Sequence, residues 1–233
     1  MEFYVGTSGW YYSWNEEKNL SWYVNNSHLN AVELNASFYR FPFPNQIKSW
    51  AQKGSGIRFS IKVSRRITHI HRLNQESYPI WDAFVGLFEP LQSLIDFFLF
   101  QFPASFTTKQ FDTFVQFFTH IPHSFHSLLA IEMRNPEWYQ KKWIKELEQI
   151  PVVLVSVDSP DLQNKIILSN NIIYMRFHGR TEWYHHNYLS HELEEAANQC
   201  CSLKPEKIYA FFNNDHFMLD NAQFFYHLLK ERA

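Results

Sequence analysis

Apolar and polar positions alternate in short runs along this chain, and eight runs predict β-strands: Phe3 to Gly6, Ala31 to Ser37, Arg58 to Val63, Phe97 to Phe102, Leu128 to Arg134, Val152 to Asp158, Ile172 to His178 and Lys207 to Asn213. Segments between them, such as NQIKSWAQ, TTKQFDTFVQFFTH, PEWYQKKWIKELEQ, SHELEEAANQCC and DNAQFFYHLLKE, carry helical spacing. Pro136 and Asp220 stand where helices start, and Asp161 to Leu168 is the weakest helical stretch. Strands alternating with helices imply parallel pairing and right-handed crossovers. Eight such units in 233 residues predict an α/β protein built as one (β/α)8 barrel over residues 1–233, irregular between the sixth and seventh strands. A doubly wound open sheet is the alternative.

The two faces of these strands differ. Val32 and Leu34, Phe59, Ile61 and Val63, Phe98, Phe100 and Phe102, Leu129, Ile131 and Met133, Val153, Val155 and Val157, and Ile173, Met175 and Phe177 form the bulky set expected to meet the helices. The opposite face reads Glu33 and Asn35, Ser60 and Lys62, Leu99 and Gln101, Ala130, Glu132 and Arg134, Leu154, Ser156 and Asp158, and Tyr174, Arg176 and His178. Its polarity gathers at the C-terminal end of each strand, where barrels of this kind carry their catalytic groups.

Composition narrows the class. A chain 45% hydrophobic and 18% aromatic can bury a sizeable core, and a net charge of -2 gives no global pull towards nucleic acid or anionic membrane. The beginning, MEFYVGTSGW, does not read as a secretion signal, and the apolar run around Leu94 to Phe102 contains Asp96 and is too short to span a bilayer. Two adjacent cysteines, Cys200 and Cys201, exclude a disulfide framework, so a cytoplasmic location is expected.

Glu33, Lys62, Glu132, Arg134, Asp158, Arg176 and His178 are therefore expected to converge at one barrel mouth. An internal salt-bridge network is one reading; the cost of removing so many charges from water favours a ligand site. Lys62, Arg134 and Arg176, with Arg65 just beyond, supply donors for carboxylate or phosphate oxygens. Gly6, Gly9 and Gly179 fall where strands end, where backbone amides can approach an anion, although a tight turn is the commoner reason for glycines so spaced. Glu33, Glu132, Asp158 and His178 are the proton-transfer candidates, with Glu132 the favoured base because Arg134 can orient it. The expected function is an enzyme performing acid–base chemistry on a small anionic, phosphorylated or nucleotide-like substrate without a cofactor.

Two rivals stand beside it. The same carboxylates and His178 could hold a divalent metal for phosphoester hydrolysis, in a phosphoesterase or nuclease, although three nearby cations oppose this and no close-spaced metal motif is present. The stretch KVSRRITHIHR with the aromatics of FYRFPF and GWYYSW could instead bind nucleic acid without catalysis.

The blocks GTSGWYYSW, VELNASFYRFP, FSIKVSRRITH, FQFPASF, IEMRNPEW, VDSP, MRFHGR and FFNND run in order through almost the whole chain. In them the sequence resembles the YecE-like family, domain of unknown function 72. The resemblance implies a TIM-barrel-like fold and no particular reaction. Ser8, Trp10, Tyr39, Asn213 and Asp215, carried in these blocks, join Asn35 and Gln101 as candidate substrate-binding residues. Asn135 stands where the family often has His, and Phe217, Met218 and Leu219 replace expected glycines, so the last loop is expected to be less flexible.

Overall fold

A computed structural model describes residues 1–122, 129–162 and 166–232. Eight parallel strands close into a barrel in chain order: β1 (Glu2–Thr7), β2 (Ala31–Leu34), β3 (Arg58–Lys62), β4 (Ile95–Phe102), β5 (Leu129–Met133), β6 (Val153–Asp158), β7 (Ile172–Phe177) and β8 (Lys207–Phe212). Closure runs through a continuous β1–β8 ladder from Glu2↔Lys207 to Thr7↔Phe212. The open doubly wound sheet is thereby excluded. Leu128, expected to begin the fifth strand, lies outside the described residues.

The surrounding helices are α1 (Leu20–Asn26), α2 (Ala36–Tyr39), α3 (Pro44–Lys53), α4 (Ser77–Leu87), α5 (Phe111–His120), α6 (Lys141–Leu147), α7 (Ser190–Ser202) and α8 (Met218–Arg232). Local chemistry sets several starts. Asn19 accepts a hydrogen bond from the Trp22 amide at the head of α1, and Pro44 supplies a fixed φ at the first position of α3. Pro136 opens a 3₁₀ turn, Pro136–Tyr139, rather than α6 itself, and Asn135 caps that turn by accepting from the Glu137 amide at 2.9 Å. The residue standing in place of the family's His is thus a cap. The last loop passes from the turn Asp215–Phe217 straight into α8. Asp161 and Leu162, with residues 166–168, form no helix; residues 163–165 lie outside the described set.

Two apolar layers form. The larger lies between strands and helices, where Trp81 and Phe84 of α4 pack on Phe98 and Phe100 of β4. The smaller fills the barrel interior below its mouth, with Phe97 edge-on to Tyr174 and Tyr209 at 5.2 and 4.8 Å and Tyr4 stacked on Tyr209. Polar side chains take over above this plug.

Two expectations need correction. Strand β2 stops at Leu34, because Asn35 takes helical angles (φ -83, ψ -23) and the chain turns into α2. In β6 the phase is reversed. Residues paired across a parallel ladder share a face, and Val155 and Val157 pair with inward Tyr174 and Arg176, whereas Asp158 pairs with outward Phe177. Val153, Val155 and Val157 therefore fill the interior, and Leu154, Ser156 and Asp158 face outward. Slender valines fit opposite the bulky rings of Phe97 and Tyr174. The outward polar groups find partners there: Ser156 Oγ accepts from the Ile167 amide, and Asp158 accepts from Arg180 Nε at 3.1 Å.

Candidate functional site

Strands β2, β5 and β7 bring Glu33, Glu132 and Arg176 together as a fully buried triad at the base of the barrel mouth. Arg176 Nη2 donates to Glu33 Oε1 at 2.5 Å, and its Nη1 donates to Glu132 Oε2. Ser8 Oγ donates to Glu33 Oε1 at 2.9 Å, and Tyr174, its hydroxyl 2.6 Å from Ser60 Oγ, donates to Glu33 Oε2 at 3.0 Å. Arg134 Nε lies 2.5 Å from Glu132 Oε1 in an ion pair whose alignment falls short of a hydrogen bond. Burial pushes the Glu132 carboxyl up, but Arg134 and Arg176 outweigh it and hold the group well below the usual carboxylate range. It is a fixed anion, poorly suited to accept a proton near neutral pH.

His178 sits in the same network. Its Nε2 lies 3.2 Å from Arg134 Nη2 and 3.2 Å from Arg176 Nη1. Its Nδ1 faces the Asn213 side-chain nitrogen, which only donates, at 3.2 Å, and its Nε2 also lies 3.5 Å from Glu132 Oε1. Burial and the two guanidiniums hold His178 well below its ordinary value, so it stays neutral.

Lys62, at the end of β3, is the exception. It is 8% exposed, and among the described residues its Nζ makes no hydrogen bond and no ion pair. Its neighbour is the Phe38 ring, with Nζ 4.3 Å from the centroid. Burial, reinforced by Arg176, brings the amine down to about 7 despite the opposing pull of Glu132 and Glu33. The Ser37 hydroxyl in α2 is 2.9 Å from the Leu34 carbonyl and 2.7 Å from the Lys62 carbonyl, fastening the end of β2 to that of β3 beneath the amine.

Lys62 opens onto a cavity of about 330 Å³ lined by Tyr12, Asn35, Tyr39, Lys62, Tyr184, His185, Asn213 and Asp215. Asn213 and Tyr184 join this lining to the network, the former beside His178 and the latter with its hydroxyl 3.5 Å from Arg134 Nη2. Trp183 lies beneath the Arg134 guanidinium at 4.2 Å. A larger cavity of about 530 Å³ beside the loops after β5 and β6 is lined by none of the charged ring.

The structure gathers the sequence candidates selectively. Asn35, Tyr39, Lys62, Asn213 and Asp215 line the mouth cavity, while Ser8, Glu33, Glu132, Arg134, Arg176 and His178 form the network beside it. Arg65 is exposed in the loop after β3, and Gln101, nearly buried, spends its amide on the Phe102 carbonyl. Trp10 packs against Trp50. Asp158 points away, so the expected convergence of all seven charged residues holds for six. Gly6 serves close packing, since a Cβ there would meet the Ala31 carbonyl oxygen at 2.2 Å. Gly179 (φ +110) gives its amide to Tyr188, and Gly9 turns with φ +106.

Sequence reasoning placed Tyr174 on the inner face without giving it a role, and missed Tyr12, Tyr184 and Phe38, whose aromatic character in so Phe-rich a chain gave no distinguishing signal. It also missed the π-helical turn Arg66–Ile70 directly after β3, which carries His69 5.0 Å from the Phe38 ring. The acidic groups do not assemble as metal ligands: Glu33 and Glu132 are committed to Arg176, Asp158 lies outside, and among the described residues no three His, Cys, Asp or Glu side chains converge. The basic stretch from Lys62 to Arg72 is dispersed, with Lys62 turned inward and Arg72 bonded to Ser105. No helix among the described residues is long and apolar enough to cross a membrane.

Comparison with known proteins agrees with this architecture. Crystal structures of DUF72 family proteins from Thermotoga maritima and Enterococcus faecalis superpose with TM-scores of 0.84 and 0.80 at 25% and 22% identity, over 99% and 98% of this chain and 100% and 95% of theirs. The UPF0759 protein YecE of Escherichia coli is 26% identical over 115 residues, which are 49% of this chain and 41% of that relative, so the match spans less than half of the curated protein. The sequence model described as "Protein of unknown function DUF72" matches residues 4–233, and the chain belongs to that family.

Proposed function

We propose that the chain is an enzyme that binds a small anionic substrate in the mouth cavity, with Lys62 as its proton-transfer group. One observation carries this reading: a nearly buried amine at a cavity wall that is paired with no carboxylate among the described residues. Glu33 and Glu132 are balanced by Arg134 and Arg176, and among the described residues protonated Lys62 forms no ion pair with Asp215, the carboxylate on the same cavity wall. A phosphate or carboxylate supplies the missing partner. Exposed Arg65 adds to the local field, although the chain as a whole is weakly acidic.

Acid–base work is assigned by the same contacts. A catalytic group is most effective when it titrates near the working pH, and Lys62, brought down to about 7, does so. Glu132, favoured on sequence, is instead an anchor for Arg134, and His178 a neutral spacer between guanidiniums. Arg176 is committed to two carboxylates, which leaves Arg134, partly exposed and flanked by Trp183 and Tyr184, as the guanidinium that reaches a ligand.

Titration calorimetry with 2-phosphoglycolate tests this reading. Wild type binds, and Lys62→Met and Arg134→Ala each weaken binding at least tenfold, about 1.4 kcal/mol, with circular dichroism unchanged. Affinity falls as pH rises through about 7, because the lysine loses its charge. Equal affinities across wild type and both variants would contradict it.

A further inference from the structure

We infer that Lys62 is a covalent nucleophile that captures a carbonyl-bearing anionic substrate as an imine, an inference that rests on the mouth cavity being the ligand site. The geometry supplies three requirements. First, the amine must be free, and among the described residues Lys62 Nζ has no hydrogen bond or ion pair to break before it attacks. Secondly, it must be held: its last contact is the face of Phe38, and the Ser37 hydroxyl ties its own carbonyl to the end of β2. Thirdly, the carbonyl must be brought to it, and Arg134 nearby offers donors for an anionic tail while the cavity of about 330 Å³ accommodates a molecule of a few carbons. Burial also keeps much of the amine unprotonated near neutral pH, which nucleophilic attack needs.

The step balances without any further reactant. The Nζ lone pair forms a bond to the carbonyl carbon as the C=O π pair moves to oxygen, and a proton passes from nitrogen to that oxygen to give a carbinolamine. The C–O bond then breaks as oxygen leaves with a second proton as water, and the nitrogen lone pair forms the C=N bond. One Lys62 amine and one aldehyde thus give one imine and one water. Tyr12, Tyr39 and Asp215, which share the cavity wall with Lys62, provide hydroxyl and carboxyl groups for these proton movements.

Borohydride trapping tests the inference. Protein is incubated with glycolaldehyde phosphate, reduced with cyanoborohydride and examined by intact-mass and peptide-mapping mass spectrometry, alongside Lys62→Met and Lys62→Arg, whose folding is checked by circular dichroism. The expected result is one reduced adduct per chain at Lys62, absent from both variants and suppressed by excess 2-phosphoglycolate. Labelling spread over exposed lysines and unchanged in the variants overturns the inference. If 2-phosphoglycolate binds in a Lys62-dependent manner but no adduct is trapped at Lys62, the imine is refuted and the anion site stands. If neither ligand engages the mouth, both readings fall.

Discussion

At the residue scale, two cations of the barrel mouth, Arg176 on β7 and Lys62 on β3, have opposite circumstances. Arg176 is fully buried and shared between Glu33 and Glu132, so its charge is spent holding the barrel interior together. Arg176→Met leaves buried Glu33 without a cationic partner and Glu132 with Arg134 alone, and urea unfolding is expected to show a loss of about 3–5 kcal/mol. Adding Glu33→Gln restores part of it, whereas an Arg176→Met variant as stable as wild type would remove this role. The pH dependence has a definite sign. A carboxyl held below its ordinary value of 4.5 contributes stability that is complete above that value and is lost as the pH falls through the folded-state titration of Glu132. Lys62 is the converse case, its amine pushed down by burial and left without a carboxylate.

At the element scale, what could be read from the sequence depended on how different the two faces of each strand are. In β5, Ala130 and Glu132 contrast with Leu129, Ile131 and Met133, and the structure follows that alternation. In β6, the run Val-Leu-Val-Ser-Val-Asp is apolar at every odd position and mixed at the others, so periodicity could not say which face met the helices. The answer came from packing: the interior opposite Phe97 and Tyr174 has room for valines, and the outside offers Arg180 to Asp158. Strand β2 was misread at its end for another reason, since Asn35 begins a single helical turn that no local periodicity marks. The charged network was legible as residues from different strands, but its pairing was not, because which cation meets which carboxylate is fixed only by register. The placement of Asp158 yields a direct check. Asp158→Ala, which loses the hydrogen bond to Arg180, should lower stability by about 1–3 kcal/mol while 2-phosphoglycolate affinity, measured by calorimetry, stays within twofold. A tenfold loss of affinity in the folded variant would put Asp158 back at the mouth.

At the scale of the whole molecule, barrel closure makes one end different from the other. Aromatic rings plug the lower interior, where Tyr209 also donates to Asp96 and Arg58 pairs with the same carboxylate at 2.5 Å. The upper interior is left to charge, and the loops after the strands surround it with Tyr12, Tyr39, Tyr184 and Asp215. In a protein of net charge -2, the mouth thereby carries one lysine that makes no ion pair among the described residues, beside carboxylates that have already paired with arginines. The most direct measurement is a ¹³C NMR titration of the lysine ε-carbons, with Lys62 assigned through Lys62→Met and repeated in the presence of inorganic phosphate. The account predicts one lysine titrating near about 7, apart from the others, and moving upward when phosphate binds beside it. A Lys62 that titrates with the ordinary lysines near 10.5 and does not respond to phosphate would contradict it.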